Sequence, residues 1–430
     1  MSRYFRTFLF SSVVACLVAI AILQTGGVSA VTGQHWISVD ASELQHIMAE
    51  RGPKDRSGLA NARIAQISGG IAILQLNDLQ MEELSRAMHD NFHKCSGFVA
   101  HTSESDALEF VRNFATVENE APLVNYTINN PEAVTTMLST VSEPYTRQVI
   151  IDLSAFPNRR YNQPSGINSA NWIYNKWSSL ISQYDRSSAS IEYFTHPAAT
   201  SPQPSIILTF KGTTFPNEIV VIGAHQDSIN ESSSTALAPG ADDDASGIAN
   251  LTEVIRVMAA TQFRPQRTVQ FMAYAAEEIG LRGSNAIATS YRNANKNVIG
   301  VMQLDMTNYR GTLGYDIVMF TDYTNAAQNQ FVTNLINTYQ PGLNITTSAC
   351  GYACSDHASW HNKSYPASMP FEAVMNNDNP NIHTANDTIS VSNNNANHAM
   401  RFTKLALSFV GELAKGCVAV GTRECSSGQR

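Results

Sequence analysis

Several segments of this 430-residue chain carry side chains that bind metals or move protons. "VVIGAH" ends at His225, with Asp227 two residues on. "GADDDASG" holds Asp242, Asp243 and Asp244 in a row. "FMAYAAEE" ends at Glu277 and Glu278, "GVMQLD" at Asp305 and "NPNIH" at His383. Taken singly, each has an ordinary explanation. The aspartate run can be a helix cap with surface acids, the glutamate pair a solvated loop, and His225 a hydrogen-bonded rim residue. His357 and His361 compete with His383 as ligands. Taken together, carboxylates converging on one place repel one another unless a cation sits among them. Two histidines with three carboxylates and no thiolate suit zinc or a similar divalent ion.

The elements that must position these groups are apolar strands alternating with helices. "EIVVIGAH", "TVQFMAYAAEE" and "VIGVMQLDM" read as strands, and "DASGIANLTEVIRVMAA" and "RGSNAIATSYRNAN" as helices. That alternation predicts an α/β fold: a mixed, mostly parallel central sheet with helices on both faces. Ligand sites in such sheets lie beyond the carboxyl ends of the strands, where His225, Glu278 and Asp305 stand. Asp243, at the loop-to-helix boundary, reaches the same crevice. Upstream, "PEAVTTMLSTV" and "SANWIYNKWSSLISQY" read as helices, and "SASIEYFTH" and "SIILTFKG" as strands.

Residues 31–120 form a separate small α+β unit. "VDASELQHIMAE", "LNDLQMEELSRAMHDNF" and "DALEFVRNFAT" have helical spacing, and "RIAQISGGIAILQL" reads as a strand. "VENEAP" then breaks the pattern as a linker. Such a unit reads as a propeptide, with a permanent accessory domain as the alternative. Ahead of it, Arg3 and Arg6, an apolar run and the small residues Val28, Ser29 and Ala30 make a secretory leader over residues 1–30. A membrane anchor is the rival, and the run is short for one. Net charge is −8 and there is no lysine–arginine stripe, which argues against nucleic acid. Cys16 belongs to the leader and Cys95 stands alone. In an oxidising compartment Cys350–Cys354 and Cys417–Cys425 are spaced for short-loop disulfides.

The ordered segments "VVIGAHQDS", "APGADDDASGIA", "FMAYAAEEIGLRGS", "QLDMTNY", "CGYACSDHASWH", "YPASMPFE" and "NPNIHTANDT" closely resemble the secreted bacterial leucyl aminopeptidases, over roughly residues 130–410. These are co-catalytic di-zinc enzymes made with a cleaved propeptide. The resemblance implies two Zn2+ bridged by Asp243. His225 and Asp305 would complete one metal, and Glu278 and His383 the other, each keeping an open position. It assigns Glu277 as the general base and Asp227 as the partner of the free His225 nitrogen. Tyr352 would help at the oxyanion. Met306, Phe320, Tyr352, Met369, Phe371 and Ile382, with the Cys350–Cys354 loop, would line a pocket for a large apolar first side chain. Met375 and Asp378 stand where rings are expected, and the acid could admit basic or polar side chains. A cis peptide between Asp243 and Asp244 is expected on the same ground.

The expectation is therefore a secreted, extracellular zinc metallo-aminopeptidase, synthesised as a zymogen and working as a monomer. Its divisions are a leader (1–30), a propeptide (31–120), a catalytic domain (121–416) and a tail (417–430). Its partners are peptides with a free N-terminus and its own propeptide as inhibitor or folding aid, with no nucleic acid and no stable membrane partner. The alternatives are a glutaminyl cyclase or carboxypeptidase on the same scaffold, or a non-catalytic binding module.

Overall fold

His225, Glu277, Glu278 and Asp305 share one edge of a sheet because the strands before them run in parallel. In the computed structural model, which describes residues 33–52, 55–113, 124–182, 184 and 188–419, β7 (Phe215–His225) lies between β9 (Arg267–Tyr274) and β10 (Asn297–Gln303), parallel to both. His225 pairs with Tyr274, so β7 and β9 end level, and β10 stops opposite Gly223 with Asp305 two residues further on. The sheet has six strands in the order β13-β10-β7-β9-β6-β5, where β13 is Ala367–Ser368, β6 Ser205–Phe210 and β5 Ala189–Phe194. The pairings of β13, β10, β7 and β9 are parallel; β6 and β5 add an antiparallel edge. This is the mixed α/β sheet read from the alternation.

Burial on both faces explains the apolar strands. From Val220 to His225 every residue of β7 is buried. On one face pack α4 (Pro131–Leu138), α5 (Glu143–Ser154), α6 (Pro164–Leu180), α7 (Ala245–Ala260), α9 (Ala326–Tyr339) and α11 (Ala399–Phe409) around a single apolar cluster. On the other face α8 (Arg282–Asn293) and α10 (His357–His361) bring Ile287, Tyr291 and Trp360 against Val221, Met272 and Val301. A three-stranded sheet of β12 (Ile345–Ser348), β11 (Ile317–Phe320) and β14 (Pro370–Phe371) flanks the crevice, and β15 (Gly416–Cys417) pairs with β8 (Arg264–Pro265).

The N-terminal unit is an antiparallel sheet in the order β2-β3-β1-β4, with β1 at Gln34–Asp40, β2 at Ile64–Ser68, β3 at Ile71–Asn77 and β4 at Phe98–His101. Helices α1 (Ala41–Arg51), α2 (Asp78–Phe92) and α3 (Glu104–Asn113) accompany it. Asn77 and Gln80 start α2 with a capping box. Its core of Ile37, Leu44, Leu74, Leu84 and Met88 extends onto Ala276 and Ile279, which flank the glutamate pair. β4 is tied to the main domain by the Ala100 N–H to Gly280 carbonyl bond of 2.8 Å.

Three readings change. "RIAQISGGIAILQL" is two strands rather than one, because Gly69 and Gly70 both take positive φ and reverse the chain. Gln34–Asp40 is a strand, and Asp40 caps α1 only after it. Helix α5 escaped notice because Val149, Ile150 and Ile151 are β-branched and mimic a strand. The leader with Cys16, the "VENEAP" linker up to residue 122, and Cys425 lie outside the described residues. Among the described residues no helix is long and apolar enough to cross a membrane.

Candidate active site

Asp243 stands at the centre of the crevice with one oxygen toward each of two histidines. His225 Nε2 lies 3.0 Å from Asp243 Oδ1 and 3.4 Å from Asp305 Oδ1. His383 Nε2 lies 3.2 Å from Asp243 Oδ2 and 2.8 Å from Glu278 Oε2. Two three-ligand groups result, His225–Asp243–Asp305 and Asp243–Glu278–His383, each with its ligand atoms within 4.8 Å of one another. His357 and His361 belong to neither group.

The aspartate run divides into separate tasks. The Asp243–Asp244 peptide is cis, as expected. Asp244 caps α7, accepting from Gly247 N–H at 2.8 Å, and also accepts from the amides of His225 and Met306 at 3.2 Å each. One carboxylate thereby joins the ends of β7 and β10 to the start of α7. Asp242 accepts the Asn308 N–H at 2.9 Å. Asp387 takes the amides of Asp242 and Asp243 at 3.2 and 3.1 Å. Gly247 has to be glycine, since a Cβ there would lie 2.3 Å from the Leu304 carbonyl. Ala276, Met306 and His383 all hold left-handed backbone (φ 55°, 52° and 58°), strain that gathers at functional sites.

The outer nitrogens of both histidines are held. His225 Nδ1 faces the Asp227 main-chain carbonyl at 3.1 Å, while the Asp227 carboxylate is 3.7 Å away. Asp227 is thus the neighbour of the outer His225 nitrogen, through its main-chain carbonyl. Its carboxylate instead accepts the Glu277 and Glu278 amides at 3.0 and 3.2 Å, holding the glutamate pair in place. Glu231 does the matching work for His383 at 3.1 Å from Nδ1. No motif marks Glu231 in "SINESSS", so the sequence offered no signal for it. Ser355 donates to Asp305 Oδ2 at 2.6 Å.

The electrostatics are those of a site made for cations. Burial, then the Asp243 charge, push Glu278 up to about 7, against the pull of His383. Burial also raises Glu277 well above the usual range, with Asp356, Asp305 and Glu278 adding to it and His225 opposing. Burial alone would lower His225, but Asp305, Asp227 and Asp243 outweigh it and raise it well above its ordinary value. Both Glu278 oxygens, Asp305 Oδ1 and His383 Nε2 are buried without a well-formed hydrogen bond, and the three of them with close neighbours face only other side chains of the crevice. Such orphaned donors, and carboxylates driven to hold protons, are what divalent cations relieve. The donor set fits a pair of zinc-like ions.

A narrow cleft opens on these groups. Met306, Phe320, Tyr352, Met369 and Phe371 line it, as do Met375 and Asp378. Cys350 and Cys354 are joined as a disulfide on its wall. Ile382 packs against the same apolar cluster without lining the cleft. Burial raises the Asp378 carboxyl.

Residues 205–408 match the sequence model of peptidase family M28. Curated relatives include leucine aminopeptidase 1 of Ajellomyces capsulatus, 35% identical with 73% of this chain and 81% of that protein covered. Leucine aminopeptidase 1 of Arthroderma otae is 38% identical, with 68% and 80% covered. The chain belongs to peptidase family M28. Among solved structures, LapB of Legionella pneumophila has a TM-score of 0.75 at 27% identity, covering 89% of this chain and 100% of that one. The LapA aminopeptidase of the same organism has a TM-score of 0.74 at 26% identity, covering 90% and 100%. Coverage of that extent exceeds residues 124–419, so the likeness reaches into the N-terminal unit. The curated relatives named here are fungal and the structures bacterial, so the family likeness is wider than the bacterial group expected from the motifs.

Proposed function

We propose that the chain is a zinc metallo-aminopeptidase that releases N-terminal, preferably large apolar residues from peptides. The observation that carries this reading is the pair of three-ligand groups sharing Asp243, with Glu277 beside them and an apolar cleft above. His225, Asp305 and Asp243 would hold one Zn2+, and Glu278, His383 and Asp243 the other. When bound, the metals supply Lewis acidity toward a carbonyl and a lowered pKa for water.

The chain's own residues do the rest. Glu277 takes the proton of the attacking water at its carboxylate and passes it to the leaving amine. Asp227 keeps Glu277 and Glu278 in place through their amides. Tyr352 offers its hydroxyl to the oxyanion. Met306, Phe320, Met369 and Phe371 take the first side chain and exclude water. Asp378 adds a negative group at the cleft, available to the α-ammonium or to a basic side chain.

Residues 1–30 are read as a secretory leader to the cell exterior, 31–120 as a propeptide, 121–416 as the catalytic domain and 417–430 as a tail. The N-terminal unit's packing on Ala276 and Ile279 supports a precursor whose crevice is covered. The catalytic domain is read as a monomer.

A panel of aminoacyl-p-nitroanilides tests the reading on chain freed of its N-terminal unit and loaded with zinc. The expected result is hydrolysis, fastest for leucine, phenylalanine or methionine. No hydrolysis of any free-amine substrate would overturn it. Turnover confined to N-terminal glutamine, with ring closure, would favour the cyclase.

A further inference from the structure

The N-terminal unit places one side chain inside the cleft itself. Cys95 carries a free thiol and lines the cleft with His225, Asp243, Glu277 and Glu278. Burial pushes the thiol up to about 12, and among its charged neighbours His383 pulls it down while Asp243 and Glu278 push it up. The Cys95 backbone N–H donates to the Tyr352 hydroxyl at 3.0 Å. A single residue thus engages both a member of one ligand group and the hydroxyl at the cleft wall.

The backbone around Cys95 is fastened on both sides. Helix α2 ends with His93 in the left-handed conformation, and Ser96 and Gly97 follow with φ of 49° and 71°. Gly97 donates back to the Cys95 carbonyl, and a Cβ at Gly97 would lie 2.7 Å from Met88 Cε. Ser96 Oγ accepts the Gly280 N–H at 3.2 Å, two residues past Glu278. Lys94 pairs with Glu43 at 2.6 Å and lies 5.1 Å over the Tyr352 ring. Upstream, His89 reaches Glu231, the residue that holds His383, at 2.6 Å. The cysteine therefore sits at the apex of a turn anchored to the main domain, aimed at the group in which Glu278 Oε1 is buried with no partner and His383 Nε2 is buried without a well-formed hydrogen bond. A zinc with three protein ligands keeps one open position, and a thiolate is among its strongest donors.

Resting on the two-metal reading above, we propose that Cys95 is the latency ligand of the unprocessed chain. The thiol releases its proton to solvent, the sulfur lone pair binds the ion held by Asp243, Glu278 and His383, and the open position is closed. The Cys95 amide holds the Tyr352 hydroxyl at the same time. Departure of the N-terminal unit removes both contacts together and frees the position for substrate. Tethering makes even a modest sulfur–metal bond effective, because a linked ligand acts at a concentration on the order of millimolar.

The test uses the unprocessed chain loaded with Co2+ in place of zinc. The expected spectrum carries a sulfur-to-cobalt charge-transfer band, absent from Cys95→Ser and from chain freed of its N-terminal unit. Iodoacetamide labelling of wild-type Cys95, read by peptide mapping, is expected to be at least ~10-fold slower with metal than after chelation: burial pushes the metal-free thiol up to about 12 and makes it slow, while a metal-bound sulfur has its attacking lone pair held by the ion. Unprocessed Cys95→Ser is expected to cleave leucyl-p-nitroanilide at least ~10-fold faster than the unprocessed wild type, the tethered sulfur being gone. The wild-type labelling arm stands even where the variant folds poorly. No charge-transfer band together with labelling indifferent to metal would overturn the proposal and leave Cys95 a steric plug. Failure of the processed enzyme on every amino-terminal substrate would instead sink the aminopeptidase reading, while the band and the labelling would still report on the sulfur–metal bond.

Discussion

Replacing Glu277 with glutamine keeps its volume and removes its basicity. The backbone amides of residues 277 and 278 still bond to Asp227, so the fold and the five ligands are undisturbed. The expected result is a kcat lower by ~10^2–10^4 with zinc content unchanged, measured on leucyl-p-nitroanilide with metal analysis. Retained activity would remove Glu277 from the role of base. Glu231→Gln tests a different layer. Its carboxylate holds His383 Nδ1, so the variant is expected to bind zinc ~10–100-fold more weakly, read by competition with a chelating dye. Asp378→Asn leaves the ligands alone and changes the cleft charge. Its expected effect is lower kcat/KM on lysyl and arginyl substrates relative to leucyl ones. The residues of the two clusters, His225, Asp243, Glu278, Asp305 and His383, were legible in sequence because they follow apolar strands or sit in long ordered motifs. Glu231 and Cys95 were not, since their roles come from chain segments far away in sequence that only folding brings to the crevice.

At the scale of elements, the site depends on three parallel strands ending at one edge of the sheet and on one helix starting beside them. Asp244 provides that junction. Its carboxylate accepts from Gly247, His225 and Met306, so Asp244→Ala is expected to destabilise the chain by about 2 kcal/mol, at the upper end for a lost helix cap. Urea unfolding checks this, and an unchanged midpoint would mean the junction is held by other contacts. Apolar alternation made β7, β9 and β10 readable, and the caps marked α2 and α7. The Gly69–Gly70 hairpin was fused into one strand because both its arms are apolar. Helix α5 was missed because its β-branched run has no clear helical period until Ser142 caps it and α7 and α11 pack on it.

Across the whole molecule, buried neutral histidines make stability sensitive to acid. Burial holds His196 and His361 near about 4, and His357 and His398 near about 3, against 6.5 for a free imidazole. The unfolded chain therefore takes up protons below pH 6.5 that the folded chain refuses. The stability present above pH 6.5 is lost as pH falls toward 3–4, at up to about 1.4 kcal/mol per pH unit for each group. His357→Gln is expected to flatten this dependence, seen as a shallower fall in Tm between pH 6.5 and 4. An unchanged slope would mean His357 is not neutral in the folded chain. The α+β character of residues 33–113 was legible from helical spacing. The docking of the small unit over Ala276 and Ile279 was not, because it depends on surface complementarity rather than on periodicity.

The central claim is that Asp243 joins two metals in one site, and counting metals tests it most directly. Titration of metal-free, processed chain with Zn2+ in a calorimeter, with the bound metal measured after gel filtration, is predicted to give two ions per chain. Asp243→Ala is predicted to lose tight binding of both. One ion per chain in the wild type, or two tightly bound ions in Asp243→Ala, would contradict the account.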